Sequence, residues 1–271
     1  MKDLKIEELR GPQYSRAYYT AKVGEIRDGS TVKRFFCVNS FPKSGSTYTQ
    51  SVICKFTGAS LQFGGDLELE VEQNFSISGI ERSVMDAERA GATSILYKFH
   101  SLPNFLNLEA IKVLNIGYVN IVRDIFDSMV SIDDHLIRGR NAKGVTLWPG
   151  MKLHDYHTWD EDKRYEAIAH FIVPWYFKYI SGWTNVDRDS LFRYEDMVND
   201  TERYFRRIEK RLGLSDGMLD FRSLDEKKNT RFNVGVVGRG EHLRAKYMDL
   251  FRSYATFFPE FDRDLMGLGA A

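Results

Sequence analysis

The sequence predicts a single α/β domain with a central, mainly parallel sheet flanked by helices. Three observations carry this. Short apolar runs rich in aromatic and β-branched residues recur along the chain, each followed by a stretch of helical spacing. That is the pattern of buried parallel strands covered on both faces. A polar residue stands at or just after the end of each run: Lys43, His100, Arg123 and Tyr194. In such sheets ligands sit at the carboxyl ends of the strands, so these four side chains should converge. Finally, the first run passes through a small-residue turn with a lysine into a helix, which adds a P-loop-like nucleotide-binding core.

The chain has 271 residues, 43% hydrophobic and 14% aromatic, enough for one domain over residues 1–271 with a sizeable core. Lys plus Arg and Asp plus Glu are both 38. Zero net charge argues against nucleic acid or an anionic membrane as the main partner, since both demand a large basic surface. Cys37 and Cys54 read as small buried apolar residues rather than bridge or metal ligands. No metal is expected. The first residues lack a signal-peptide core and no run approaches a membrane span, so a soluble cytoplasmic protein is expected.

Taken in order, Asp28-Gly29 between Val23–Ile26 and Thr31-Val32 suggests a hairpin. The first strand is Phe35-Phe36-Cys37-Val38. Tyr48, Val52, Ile53 and Phe56 then recur at helical spacing, and Gly58 is placed to end the helix. Between them, Ser44, Gly45, Ser46 and Thr47 are small enough for backbone N–H groups to converge on an anion. The helix N-terminus and the Lys43 charge reinforce that. The order differs from G-x-x-x-x-G-K-[ST], because the lysine precedes the glycine. Residues of about 59–93 show no clear periodicity and read as a long loop with the alternating acids Asp66, Glu68, Glu70 and Glu72. Strands Ile95–Phe99 and Tyr118–Val122 follow, then a helix with Ile125, Met129, Ile132 and Leu136 on one face. A second long loop, about 138–162, holds Trp148, His154, His157 and Trp159. A helix through Ile168 and Trp183 should be interrupted at Pro174. Strand Leu191–Tyr194, a helix with Phe205, Ile208 and Leu212 closed by Gly213, a glycine-rich segment Asn233–Gly240 and an aromatic helix complete the chain.

Four segments resemble, in order, the cytosolic-type sulfotransferases that use 3′-phosphoadenosine-5′-phosphosulfate (PAPS). Phe41-Pro42-Lys43-Ser44-Gly45-Ser46-Thr47-Tyr48 is similar to the family's Y-P-K-S-G-T-T-W loop for the 5′-phosphosulfate. Lys98-Phe99-His100-Ser101-Leu102-Pro103 is similar to K-T-H-L-P with one extra residue. Arg123-Asp124 through Ser131 resembles R-N-P-x-D-x-x-x-S, with the same arginine-to-serine spacing of eight. Tyr194-Glu195-Asp196-Met197 matches Y-E-D-M, and Pro174-Trp175-Tyr176 with Gly182-Trp183 looks like the helix before it. The resemblance runs from about Phe35 to Gly240.

The resemblance implies a site for the donor PAPS and its product 3′-phosphoadenosine 5′-phosphate (PAP). Lys43, Ser44, Gly45, Ser46 and Thr47 would hold the 5′ end. Arg123 and Ser131 would hold the 3′-phosphate, one with a charged fork and the other with a hydroxyl. Tyr48 stands where the family has the tryptophan that stacks on adenine, and Tyr194 takes the family's tyrosine place near the base. Ser223-Leu224 falls where the family has a Ser-Phe pair. The last motif, R-K-G-x-x-G-x-W, departs. Asn233, Val234 and Gly235 begin the aligned segment; its glycines survive, its two cations do not, and Arg239 is the cation nearby. Backbone N–H groups there are a second source of phosphate donors.

By the same resemblance, Lys43 stabilises the leaving oxygen, Lys98 neutralises the transferring group, and His100 takes the proton from the acceptor hydroxyl or amine. Plain alternatives stand beside these readings. Lys43 is then a surface lysine on a turn, His100 a structural histidine, Arg123 the ion-pair partner of Asp124 or Asp127, and Tyr194 core. In the family the segment before the histidine borders the acceptor pocket. Glu68 and Glu70, with Asp133, Asp134 and Trp148, are therefore the acceptor-side candidates. So many acids suit a cationic or polyhydroxylated small molecule better than a phenol or steroid. The family's short dimer motif is not apparent, which leaves a monomer or another kind of homodimer. Two other function classes stay open: a P-loop-type small-molecule kinase and a catalytically silent nucleotide-binding protein. A kinase should carry Gly-Lys-Ser/Thr order and magnesium-binding acids, and neither is evident.

Overall fold

The computed structural model describes residues 15–62, 73–138, 145–147, 151–153, 155–220, 236–258 and 260–269. The sheet has five strands in the order β2-β3-β1-β4-β7: β1 (Arg34–Ser40), β2 (Ser60–Gln62), β3 (Ser94–Phe99), β4 (Gly117–Val122) and β7 (Leu191–Arg193). Every pairing is parallel, with Val38 beside Lys98 on one side and Val119 on the other. All carboxyl ends therefore open on the same edge, as the strand-end residues require. Strands β5 (Val145–Leu147) and β6 (Met151–Leu153) form a separate antiparallel pair.

Residue alternation along β1 explains the layering. Phe36 and Val38 join Leu96, Val119 and Ile121 beneath helix α2 (Ser46–Thr57), while Phe35 and Cys37 join Ile95 and Tyr97 on the opposite face. Adjacent residues of a strand point to opposite sides, so a doubly covered strand is apolar throughout. A third, aromatic cluster holds Phe126, Tyr176, Phe177 and Trp183. It lies where α5 (Ile125–Arg138) and α6 (Glu161–Phe171) meet α7 (Val173–Asp187) and α10 (Glu241–Ala255). The interruption expected at Pro174 falls at Ile172, and the proline occupies the first turn of α7. Gly58 and Gly213 both end helices in left-handed conformation, the latter closing α9 (Thr201–Leu212).

Two expectations are corrected. Residues 23–29 do not form a hairpin. They belong to helix α1 (Arg16–Gly29), whose start is capped by Ser15 Oγ accepting from Tyr18 N at 3.1 Å. Tyr19 and Val23, one turn apart, are buried and outweigh the turn signal of Asp28-Gly29, which ends the helix instead. The stretch of about 59–93 is not a continuous loop either. It contains β2 and helix α3 (Ile77–Arg89), capped by Ser76 and burying Ile80, Ser83, Val84 and Ala87. Ser83 hid the apolar stripe; its hydroxyl donates to Gly79 O at 2.7 Å and so rides in the core satisfied. Between β3 and β4 runs α4 (Phe105–Val113), and α8 (Tyr194–Asn199) starts at the residue assigned to the end of the fourth strand. Cys37 and Cys54 are both free thiols.

Candidate functional site

The turn between β1 and α2 departs from ordinary backbone at two positions. Lys43 has φ 69° and Gly45 has φ 82°. A left-handed lysine is uncommon and turns the chain back over the sheet edge. Gly45 is the N-cap of α2; Tyr48 N donates back to Gly45 O at 3.1 Å, and the amides of Ser46 and Thr47 are the ones a helix start leaves without intrahelical acceptors. A Cβ at Gly45 would stand 2.6 Å from Tyr194 Cδ2; only glycine lets that buried ring lie under the turn. Ser44 is fully buried and its Oγ has no hydrogen-bond partner among the described residues. Lys98 Nζ donates to Thr47 Oγ1 at 3.1 Å, so the lysine of β3 reaches the first turn of α2. Gly45→Ala should lower the thermal midpoint by roughly the equivalent of 1–3 kcal/mol, from backbone strain and the Tyr194 clash together. An unshifted melt would contradict this.

His100 follows β3 directly. Its Nδ1 lies 2.7 Å from Ser40 O and 3.3 Å from Ser40 Oγ, and its backbone N donates to Gln73 Oε1 at 2.8 Å. With Nδ1–H donating to the carbonyl, the lone pair sits on Nε2. Behind the ring a buried polar network fixes the strand ends. Asn39 Oδ1 accepts from Ser101 N at 2.9 Å, and Asn39 Nδ2 donates to Ser101 O at 3.0 Å and Asn120 Oδ1 at 2.7 Å. Trp183 Nε1 adds a bond to Ser101 O at 3.0 Å. Burial pushes the His100 pKa from 6.5 down to about 4, opposed by the Ser40 bond and helped by the Lys98 charge. The imidazole is therefore neutral near pH 7. Between those two values the unfolded chain binds the proton that the folded chain refuses, so this residue removes stability as pH falls from 6.5 to 4. Thermal melts across that window should show a decline that His100→Gln reduces.

Arg123, just past β4, ties two segments together. Its Nη1 donates to Lys43 O at 3.1 Å and its Nη2 to Val236 O at 3.3 Å. The guanidinium lies 4.3 Å above the Tyr194 ring and its Nη2 is 3.6 Å from Asp127 Oδ2. The group is buried and its Nε has no hydrogen-bond partner among the described residues. The ion pair with Asp127 is thus present alongside contacts that reach the Lys43 turn. Asp124 N donates to Glu195 Oε1 at 2.9 Å, and Arg244 Nη2 donates to Asp124 Oδ2 at 2.6 Å. Burial raises the pKa of both carboxyls; the Asp127 backbone N–H and Arg244 act in the opposite direction on Asp124. Ser131 is buried on α5, the helix that starts two residues after Arg123.

The remaining candidates divide. Tyr48 is buried, edge-on to Phe205 within the α2–α9 core. Asp133 is committed to structure: Arg164 donates to it from Nε at 2.8 Å and Nη2 at 3.1 Å, and Tyr156 donates from its hydroxyl at 2.8 Å. Asp134 pairs with Arg239 at 2.8 Å, which brings the two candidates together. The amides of Gly238 and Gly240 donate to Asp127, so these two backbone groups serve a carboxylate rather than an outside anion. Glu68, Glu70, Trp148, Ser223, Leu224, Asn233, Val234 and Gly235 lie outside the described residues. Among the described residues no His, Cys, Asp and Glu group is arranged for a metal, and no helix is long and apolar enough to cross a membrane. Sequence reasoning missed Gln73, Ser40, Asn39 and Arg244. None of them carries a local signal, because each acts across chain separations of 27 to 120 residues.

Solved structures share this fold. The crystal structure of mouse sulfotransferase SULT7A1 complexed with PAP superposes with a TM-score of 0.59 at 18% identity, covering 91% of this chain and 92% of that one. Retinol dehydratase in complex with androsterone and inactive cofactor PAP gives 0.51 at 14% identity, covering 88% and 84%. At these identities the likeness is one of fold. No curated protein matches the sequence significantly. The family model described as "Sulfotransferase domain" matches residues 34–236, from the start of β1 to the segment that Arg123 holds. That span covers most of the chain and every strand of the five-stranded sheet, and on it the protein belongs to the sulfotransferase domain family.

Proposed function

We propose that this protein transfers the sulfuryl group of PAPS to a hydroxyl or amine of a small-molecule acceptor, with His100 as base. The observation that carries the reading is at the carboxyl edge of the sheet. There Ser44 Oγ and Arg123 Nε are buried without partners among the described residues, beside a helix N-terminus and the lysines at 43 and 98. Hydroxyl, guanidinium and unpaired amides are the donor set that phosphate and sulfate groups take. Both structural relatives named above were solved with PAP.

In this reading the Lys43 turn, Ser44 to Thr47, holds the 5′ end of the donor, and Arg123, Ser131 and Arg239 hold the 3′-phosphate. The acceptor oxygen or nitrogen attacks sulfur as the bond from sulfur to the leaving phosphate oxygen breaks. His100 Nε2 takes the acceptor proton. Lys43 meets the charge growing on the leaving oxygen and Lys98 that on the sulfuryl oxygens. No metal enters the scheme. The neutral imidazole is ready over a wide range: the base must be unprotonated, and its pKa stands at about 4. The acid limb of kcat/KM should accordingly be absent near 6.5 and appear only towards 4. A limb near 6.5 would show that another group is the base.

For the acceptor, Glu68, Glu70 and Trp148 remain the proposed contacts, with Asp134 at the edge and Asp133 serving structure. This acidity favours a cationic or polyhydroxylated compound. The balanced charge argues against nucleic acid or a membrane surface as the main partner, and the proposed setting is the cytoplasm, as a monomer or homodimer. The test is transfer of radiolabelled sulfate from PAPS across an acceptor panel. Amine- or guanidine-bearing alcohols should outperform phenols and steroids; the opposite ranking would sink the acceptor class. Absence of transfer to any acceptor would sink the activity.

A further inference from the structure

Helix α5 begins beside Arg123 and lies under the segment 236–240. Asp127, in its first turn, is 2% exposed. Its Oδ2 accepts from Gly238 N at 2.9 Å and its Oδ1 from Gly240 N at 2.8 Å, while Arg123 Nη2 stands 3.6 Å from Oδ2. The segment comes down hard on the helix. A Cβ at Gly240 would stand 2.2 Å from Phe126 C, so only a glycine permits the approach that lets one carboxylate reach both amides. Two further bonds reach the same region: Arg239 of the segment to Asp134, and Arg244 of α10 to Asp124, just before α5. Asp124 in turn accepts from Phe126 N and Asp127 N, which starts the helix where Asp127 needs it.

From this geometry we infer that Asp127 is a positioning residue for the 3′-phosphate end of the donor. It rests on the donor reading above. Asp127 does two things with one carboxylate. It turns two amides of the glycine segment inward, which sets the Val236 carbonyl where Arg123 Nη2 bonds it at 3.3 Å and sets Arg239 along α5. It also stands 3.6 Å from Arg123 Nη2 while Nη1 bonds the Lys43 carbonyl, so the guanidinium is steered between two segments while lying over Tyr194. A chain without the family's arginine–lysine pair depends on Arg123, Ser131 and Arg239 for that phosphate. Asp127 sits one helical turn before Ser131, and Asp134, which holds Arg239, about one turn after it. The two aspartates on α5 thus bracket Ser131, Asp127 beside Arg123 and Asp134 beside Arg239.

The experiment is calorimetry on the full chain with PAP and with adenosine 5′-monophosphate, which lacks the 3′-phosphate. In the wild type PAP should bind more tightly. Asp127→Asn keeps the size but offers one acceptor where two amides donate; it should lower PAP affinity about tenfold and leave the monophosphate within about twofold. A residue with a merely structural role would weaken both ligands together or change only the melt. Equal loss for both ligands, or an unchanged preference for PAP, overturns the proposal. If Asp127→Asn fails to fold, Gly238→Ala decides. That glycine has φ 88° and a Cβ there meets nothing within 4 Å, so the variant disturbs the bonded amide without crowding. Selective loss of PAP supports the proposal and an intact preference overturns it. A wild type that binds both ligands equally would instead strike the donor reading, and is seen without any variant.

Discussion

His100→Ala is expected to lower turnover by about 10²–10⁴-fold while leaving PAP affinity within about twofold. The split follows from where the ring is held. Nδ1 is spent on Ser40 O, so the imidazole presents Nε2, while Arg123 and Lys98 bond the Lys43 turn and the start of α2 independently of the ring. In the proposed mechanism, loss of the ring removes the proton acceptor and leaves the Lys43 turn and Arg123 to bind the donor. Its tautomer is set by a backbone carbonyl of the neighbouring strand, so a ring substitute without Nε2 basicity should not restore activity. Radiolabelled transfer read beside PAP calorimetry checks both halves. Normal turnover in His100→Ala would move the base elsewhere, with Glu68 and Glu70 next in line.

Lys43→Ala is expected to cut turnover by about 10²–10³-fold and to weaken PAP as well, because a charge facing the leaving oxygen stabilises the bound donor and, more strongly, the charge that grows in transfer. Backbone effects are separable. Lys43 occupies the left-handed region at φ 69°, and alanine keeps that strain while removing the charge. Lys43→Gly relieves the strain and removes the charge. If the two variants lose activity equally, the charge is responsible; if glycine retains wild-type turnover, the turn needs only its backbone. Stability measured in parallel should show glycine at or above alanine.

Much of the fold was legible because parallel strands buried on both faces read as plain apolar runs. Phe35–Val38, Ile95–Phe99 and Tyr118–Val122 each correspond to a strand within a residue or two. The strand-end residues were legible for the same reason: once the sheet is parallel, Lys43, His100 and Arg123 must share an edge. The two helices that escaped, α1 and α3, failed for local reasons. Asp28-Gly29 is an equally good hairpin turn and helix end, and only the burial of Tyr19 and Val23 decides between them. In α3 the buried face includes Gly79 and Ser83, which a count of apolar residues passes over. Asp133 misled for a related reason. An acid near a pocket reads as ligand-facing until its partner is known, and that partner, Arg164, is 31 residues away. Asp127 was visible as the aspartate of the motif from Arg123 to Ser131 and as an ion-pair option for Arg123; its role was not, because its two glycine amides lie 111 and 113 residues on.

The central claim is that the carboxyl edge of this sheet holds a 3′,5′-bisphosphorylated adenine nucleotide without a metal. Calorimetric titration of the full chain with PAP and with ATP, each with and without magnesium, tests it most directly. PAP should bind at one site with the same affinity in both buffers and more tightly than ATP. Tighter binding of ATP that depends on magnesium would contradict it and return the Lys43 turn to the kinases.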